Sequence, residues 1–404
     1  MNASFPPLSE QERTFIREHL AVPVPELLLQ ASRYPNVDIR KMAGQIAARQ
    51  KARHKLPAWY ANDRLLFPPP LSVEQGSSEA TARFKASLVG GRRLIDITGG
   101  MGVDCYYMSQ QFAQTLYFEQ QPDVARAAAY NFAQLGAKDR ILVRTGEAIA
   151  ALDSNPEPAD WIYADPARRD SQQRKVAQLA DCTPDMVAAL PVLFRSAPRV
   201  LIKTAPLLDI DLAVSQLGGI REVYVVGLDN ECKEVLYSAS KEATESHDVA
   251  IRVRILHPDG SVKHAFDFTR QEEADTEVPM QEPMTYLYEP HAAMLKSGAF
   301  KSLAARFGLA KLSPNAHLYT GNQWLAGFPG RGFEVVAVCK PDAREVAQYV
   351  PDGRANLTTR NFPVKTDDLR KKLRLKEGGD VYLFATELQN KRKVVIVTKK
   401  TYIE

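Results

Sequence analysis

Cysteine is scarce in this sequence. Four occur in 404 residues (Cys105, Cys182, Cys232 and Cys339), and none forms a Cys-x-x-Cys pair. Neither a disulfide framework nor a structural zinc site is therefore expected, and no metal is called for. Long apolar runs are missing too. Stretches such as 186–194 and 335–339 fall far short of the ~20 residues a spanning helix needs. The opening MNASFPPLSEQERTF sets no basic segment ahead of an apolar one, which argues against a secretory signal. Internal repeats and low-complexity tracts are absent. These absences predict a cytoplasmic, soluble, multidomain protein, with no membrane and no obligatory protein partner.

What the chain does have is a charge asymmetry. Residues 283–404 carry 20 Lys and Arg against 11 Asp and Glu, whereas the first 282 carry 32 against 37. A basic module joined to a mildly acidic one suits a polyanion such as nucleic acid. A solvated, lysine-rich surface is the plainer reading of the same numbers.

Helical spacing comes first along the chain. Ser9-Glu10-Gln11-Glu12 fits a capping box, and Ile39, Met42, Ile46 and Ala47 repeat at helical spacing across 37–55. Phe67-Pro68-Pro69-Pro70 ends this helical region, 1–70. From 71 to 245, short apolar runs at 93–97, 115–118, 141–143, 161–164 and 200–202 alternate with helix-compatible segments. That is the pattern of parallel strands buried on both faces of a doubly wound, Rossmann-like α/β sheet. Runs at 223–227 and 235–239 read as a closing antiparallel pair. A hairpin around Pro258-Asp259-Gly260 makes 246–282 an extension or linker. Beyond it, a helix at 291–307, a strand at 335–338, a charged helix at 366–375, a Gly378-Gly379 turn and strands at 381–385 and 394–398 predict small α+β modules at 283–328 and 329–404.

The first predicted strand runs into Asp96-Ile97-Thr98-Gly99-Gly100-Met101-Gly102-Val103-Asp104. Glycines at the carboxyl edge of such a sheet let a ligand approach the backbone. An acidic residue leading the turn would repel a pyrophosphate but suits a ligand with an ammonium group, which points to S-adenosylmethionine (SAM). Glu119, at the end of the second strand, could take both hydroxyls of a ribose. Glu147, after the third, could meet an adenine amino group. Singly, each carboxylate could be a solvated strand end; three at successive strand ends argue for an adenosyl ligand. The candidate SAM-binding set is Asp96, Thr98, Gly99, Gly100, Gly102, Asp104, Glu119, Gln120, Glu147 and Asp165.

The fourth strand delivers Asp165-Pro166-Ala167-Arg168-Arg169. Asp165 could accept a proton or orient an amine, and Arg168 with Arg169 could clamp a phosphate; an Asp-Pro turn with two exposed arginines is the alternative. Asp165, Arg168 and Lys203 are the candidate catalytic residues. In the basic module, Arg370, Lys371, Lys372 and Arg374 could track phosphates. Arg360 and Phe362 could stack on unpaired bases. A solvated helix face remains open for this cluster, and Trp324 and Tyr319 read as ordinary core.

The loop 96–104, Glu119 and Asp165-Pro166-Ala167-Arg168 resemble motifs I, II and IV of the class I SAM-dependent methyltransferases. Residues 51–57 (KARHKLP), 74–85 (EQGSSEATARFK), 201–206 (LIKTAP) and 230–236 (NECKEVL) resemble one bacterial family of RNA methyltransferases. So does the run from Thr359-Arg360-Asn361-Phe362-Pro363 to 378–384 (GGDVYLF). That resemblance covers nearly the whole chain. It implies a class I methyltransferase domain joined to ferredoxin-like and THUMP-like domains, SAM as cofactor, and RNA (tRNA or rRNA) as substrate.

The sequence departs from methyltransferases of planar amines, which follow Asp/Asn-Pro with Pro and an aromatic that stacks on the base. Here Ala167 and Arg168 stand in those places, and Tyr163 is the nearby substitute. C5 transfer to pyrimidines needs a cysteine nucleophile, which residues 201–206 lack. Transfer to a base nitrogen is the leading expectation. A ribose 2′-O reading uses Asp165, Lys203 and Glu234, with Lys85 as a fourth member. A protein or small-molecule methyltransferase, and a non-catalytic RNA-binding protein that keeps the SAM pocket, complete the alternatives.

Overall fold

A computed structural model describes residues 7–168, 179, 182–242 and 249–400. The chain divides into two compact units, one holding 1–229, 233–247 and 256–263, the other 230–232, 248–255 and 264–404.

In the first unit, short apolar segments become β1 (Gly91–Asp96), β2 (Phe112–Glu119), β3 (Ile141–Thr145) and β4 (Trp161–Ala164). A separate two-stranded ladder joins β5 (Ala167–Arg168) to β6 (Cys182–Thr183). Then come β7 (Arg199–Thr204), β8 (Ile220–Leu228) and β9 (Glu231–Ser240). Among these strands the order in the sheet is β8-β9-β7-β4-β1-β2-β3. β1 pairs in parallel with β2 and β4, β2 with β3, and β4 with β7, while β9 runs antiparallel to β7. The return of β9 between β7 and β8 departs from the all-parallel dinucleotide order. Every residue of β4 is buried, as is every residue of β7 after Arg199. Such strands are covered on both faces, which explains their unbroken apolar character. All the parallel strands point their carboxyl ends at one rim.

Helices occupy the chain before β1. Ser9 and Glu12 form the expected capping box, with Ser9 N donating to Glu12 Oε2 at 2.8 Å and Glu12 N to Ser9 Oγ at 3.2 Å. The helix expected over 37–55 runs Ile39–Lys55, because Asp38 takes the N-cap and accepts from the Lys41 amide. Trp59 and Phe67 share one apolar cluster with Leu94, Tyr107 and Trp161. The break at Pro68–Pro70 thus ends a helical run without dividing the core.

Next along the chain, β10 (Ala250–Leu256) and β11 (Val262–Phe268) are neighbouring strands joined by the Pro258-Asp259-Gly260 turn. Arg252 and Arg254 both pair with Asp267. A further sheet contains β12 (Tyr286–Pro290), β13 (Ala310–Lys311), β14 (Tyr319–Gly321), β15 (Gly330–Cys339), β16 (Asn356–Arg360), β17 (Val381–Glu387) and β18 (Lys393–Lys400). Its order is β13-β14-β12-β15-β18-β17-β16. The helix expected over 291–307 is two helices, Ala292–Ser297 and Lys301–Arg306. Gly298 at φ +81° ends the first in a left-handed turn that glycine adopts without strain. The Glu273 carboxylate then caps the second by accepting from the amides of Phe300, Lys301 and Ser302. The charged helix spans Thr366–Lys372 and stops short of 375, with Arg374 itself at φ +58°. Among the described residues no helix is long and apolar enough to cross a membrane.

Candidate functional site

Asp96 closes β1 and is buried. Its Oδ1 accepts from the Thr98 amide at 3.0 Å, and Thr98 Oγ1 accepts from the Asp165 amide at 2.7 Å. The ends of β1 and β4 are thereby tied together. Burial, with Asp104 and Asp165 close by, pushes the Asp96 carboxyl well above its ordinary range.

The glycine turn lies flat on the end of β2. The Gly99 amide donates to the Phe118 carbonyl at 2.9 Å, and a Cβ on Gly99 would stand 2.6 Å from that oxygen. Gly102 has φ +82°, and a Cβ there would come within 2.5 Å of the Phe132 ring. No side chain fits either position, which leaves a backbone-lined cradle. Glu119 accepts from the amides of Gly100 and Gln121, both at 2.7 Å. Tyr117 donates its hydroxyl to the Gly100 carbonyl at 2.6 Å. Gln120 beside them is exposed.

Asp165 follows β4, and Lys203 lies on the neighbouring β7. Their parallel register, Ala164 opposite Ile202, brings the two side chains together. Lys203 Nζ donates to Asp165 Oδ2 at 2.5 Å. The lysine side chain is 11% exposed and the carboxylate 36%, so the carboxylate is the outer member. Behind them lies a buried polar cluster. Lys85 Nζ donates to both oxygens of Glu234, at 2.6 and 2.7 Å, and to Ser77 Oγ at 3.2 Å. It also pairs with Asp104 Oδ1 at 3.2 Å. Asp104 Oδ2 accepts from Ser77 at 2.7 Å and from the Tyr163 hydroxyl at 2.6 Å.

The cluster sets charge at the rim. Burial opposes ionisation of Lys203, but Asp165, Asp104 and Glu234 outweigh it and hold the ammonium above the ordinary lysine range. Burial likewise works against Asp104, yet Lys85 and Lys203 keep its carboxyl below the usual value. For Glu234, burial wins and pushes the carboxyl up despite the same two lysines. Lys55 is lowered to about 8, by burial first and then by Lys203 and Lys233.

Of the residues singled out from sequence, Asp96, Thr98, Asp165 and Lys203 meet at one rim, and Gly99, Gly100 and Glu119 form its adjoining cradle. Several expectations need revision. Glu147 is exposed and caps the helix Ala148–Ser154, accepting from the Ala150 amide at 2.8 Å. Asp104 turns inward to Lys85 and Tyr163. Glu234 is buried and meets Lys85, behind the Asp165–Lys203 pair. Tyr163 is buried with its hydroxyl committed to Asp104, so it offers no face for a base. The side chain of Arg168, and Arg169 altogether, lie outside the described residues. Arg360 donates to the buried Glu289 at 2.9 Å, and Phe362 packs against the apolar cluster around Leu357 and Leu369. Both make internal contacts and remain partly exposed. Arg370 is tied to Asp367 at 2.6 Å and Glu377 at 3.0 Å, while Lys371, Lys372 and Arg374 are exposed.

Sequence reasoning gave Lys55 and Ser77 no role beyond membership of resembling stretches. The available signal was Lys85 itself, a lysine inside the apolar ATARFKA segment. The rim suits SAM: a cradle that only glycine allows, a carboxylate at the end of β2, and acidic side chains beside it for a cationic ligand. When bound, SAM supplies an electrophilic methyl group.

Comparison with known proteins agrees with this reading. A ferredoxin-like domain family matches residues 286–329, and a THUMP domain-like family matches 330–400. Two relatives from Mycobacterium tuberculosis (strains CDC 1551 and H37Rv) are described as uncharacterized S-adenosylmethionine-dependent methyltransferases. Each is 25% identical over 323 residues, covering 78% of this chain and 83% of its own. A crystal structure of a provisionally assigned methyltransferase from Porphyromonas gingivalis W83 is 29% identical. It superposes with a TM-score of 0.84 over 98% of this chain and 99% of that one. The chain is a SAM-dependent methyltransferase that carries ferredoxin-like and THUMP-like domains at its C-terminal end.

Proposed function

We propose that the enzyme methylates RNA, with tRNA or rRNA as the substrate class, and that the acceptor is a ribose hydroxyl. The RNA reading rests on the THUMP-like domain, the basic balance of residues 283–404 and the exposed Lys371, Lys372 and Arg374. SAM would sit in the glycine cradle against Asp96, Thr98, Gly99, Gly100, Gly102 and Glu119. The observation that carries the acceptor is the Asp165–Lys203 pair. An ammonium held in its charged form lowers the cost of developing negative charge on a hydroxyl oxygen and cannot itself take the proton. Asp165, the outer partner, is the group that can. SAM held in the cradle would supply the methyl group, which would pass from sulfur to the hydroxyl oxygen while Asp165 or water takes the hydroxyl proton. Lys85 and Glu234 act from behind the pair, since both are buried out of reach of a polymer.

Transfer to a base nitrogen, the acceptor favoured by sequence, keeps Asp165 as a hydrogen-bond acceptor but loses its stacking partner, because Tyr163 is committed to Asp104. The test is methyl transfer from tritiated SAM to total RNA of a strain lacking the gene, followed by digestion to nucleosides. Asp165→Asn and Lys203→Met proteins run alongside. Label in ribose-methylated nucleosides, lost in both variants, is the expected outcome. Label on base nitrogens overturns the acceptor and retains RNA. No label, with SAM binding intact, overturns RNA and turns the search to protein and small-molecule acceptors.

A further inference from the structure

The second unit holds a cleft of about 600 Å³ that the methyl-transfer site does not use. Val278, Met280, Phe300, Lys301, Lys311 and His317 line it. Its size is in the range of small-ligand sites.

His317 is the unusual member. Its backbone sits at φ +49°, in the left-handed region that histidine, like Asn and Asp, enters more readily than other side chains. Its ring stacks on Phe300, with centroids 3.7 Å apart and planes at 22°. Its Nδ1 is buried without a hydrogen-bond partner among the described residues. A buried, unsatisfied ring nitrogen is a cost, and such costs collect where a side chain serves a ligand.

The lysines of the cleft each donate to a neutral backbone carbonyl, and Glu277 adds an exposed carboxylate. Lys311 Nζ donates to the Pro314 carbonyl at 2.8 Å, and Lys301 Nζ to the Ala274 carbonyl at 2.6 Å. Glu273 is spent on the helix amides. Burial, followed by Lys311 and Arg360, lowers His317 to about 4, so the imidazole is neutral at physiological pH. With Lys301 and Lys311 matched by Glu273 and Glu277, the lining carries no net formal charge to select an anion. A flat, uncharged ring would find a paired aromatic wall with Val278 and Met280 beside it.

We infer that this cleft takes a nucleobase, stacked on the Phe300–His317 pair. The inference rests on the RNA reading above for its expected source, an unpaired nucleotide of the substrate, with a free nucleotide as the other source of the same chemistry.

The experiment uses the full chain and short single-stranded oligoribonucleotides of each base, read by fluorescence anisotropy and by ultraviolet crosslinking with peptide mapping. His317→Asn removes the ring but keeps a residue that tolerates left-handed backbone; Phe300→Leu keeps an apolar filler. Each substitution is expected to weaken binding roughly tenfold, the scale of one lost base stack. The salt dependence should stay unchanged, because both substitutions remove uncharged rings. A crosslink on the peptides carrying Phe300 or His317 should vanish in the variants. Binding within about twofold of wild type for both variants, with no crosslink in the cleft, overturns the inference. A crosslink made by nucleoside monophosphates alone, with oligonucleotide affinity unmoved, supports the base site and assigns it to a free nucleotide. The crosslink reads the cleft directly, so failure of the RNA methylation assay and failure of this site remain separate results.

Discussion

Replacing Lys85 by Met tests the buried cluster behind the rim. Lys85 is fully buried and sits between Glu234, at 2.6 and 2.7 Å, and Asp104, at 3.2 Å. Methionine keeps most of the aliphatic stem, so the change removes charge rather than packing. Stranding one partner of a buried ion pair costs about 3–5 kcal/mol, and here two carboxylates lose the same cation. The expected loss for the first unit is therefore about 3–5 kcal/mol near neutral pH. The loss should depend on pH with a definite sign. Burial already raises Glu234, and without Lys85 it rises further. A carboxyl raised in the folded state favours folding below its unfolded pKa, and that contribution disappears as pH rises through the folded value. The variant should thus approach wild type in mildly acidic buffer and diverge from it as pH increases. Urea unfolding in a Trp324→Phe background would follow it, because the remaining tryptophans, Trp59 and Trp161, both belong to the first unit and are buried there. Adding Glu234→Gln should return part of the lost stability, which a double-mutant cycle measures. A difference below about 1 kcal/mol, flat across pH, would refute the view that Lys85 is the counter-charge of this cluster.

Three other outcomes follow from the same geometry. SAM carries an ammonium and a sulfonium, so it should bind best when Asp96 is ionised. Because Asp96 is raised, affinity should fall as pH is lowered through that raised value, and Asp96→Asn should weaken binding and flatten the dependence. Calorimetry across pH checks this, and a wild-type profile indistinguishable from that of Asp96→Asn would contradict it. Lys55 should titrate at about 8, visible as one early-moving signal among ¹³C-dimethylated lysines that disappears in Lys55→Arg. Lys371→Gln and Lys372→Gln, both exposed, should each lower the slope of RNA affinity against salt by about one, without altering affinity for SAM.

The parts of this protein legible in its sequence are those where one local pattern had one physical meaning. Apolar runs too short for helices became the parallel strands, and their carboxyl ends, at Asp96, Glu119 and Asp165, delivered acidic groups to one rim. The nearness of Asp165 and Lys203 followed once β4 and β7 were placed side by side in parallel. Other residues had two uses that sequence alone does not separate. An acidic residue between a strand and a helix can face a ligand or cap the helix, and Glu147 does the second. An arginine in a basic module can face RNA or an internal carboxylate, and Arg360 reaches Glu289. Two short helices at 292–297 and 301–306 look like one, because the cap that separates them comes from Glu273 on another segment. The Lys85–Glu234 pair lies furthest from local pattern, since 149 residues separate its members and only the return of β9 into the sheet places Glu234 in the core. That same strand reversal sets this sheet apart from a dinucleotide fold. The topology and the buried charge cluster are therefore one feature: without β9 between β7 and β8, Lys85 would have no Glu234, and Lys203 would lose one of the carboxylates that keep it charged beside Asp165.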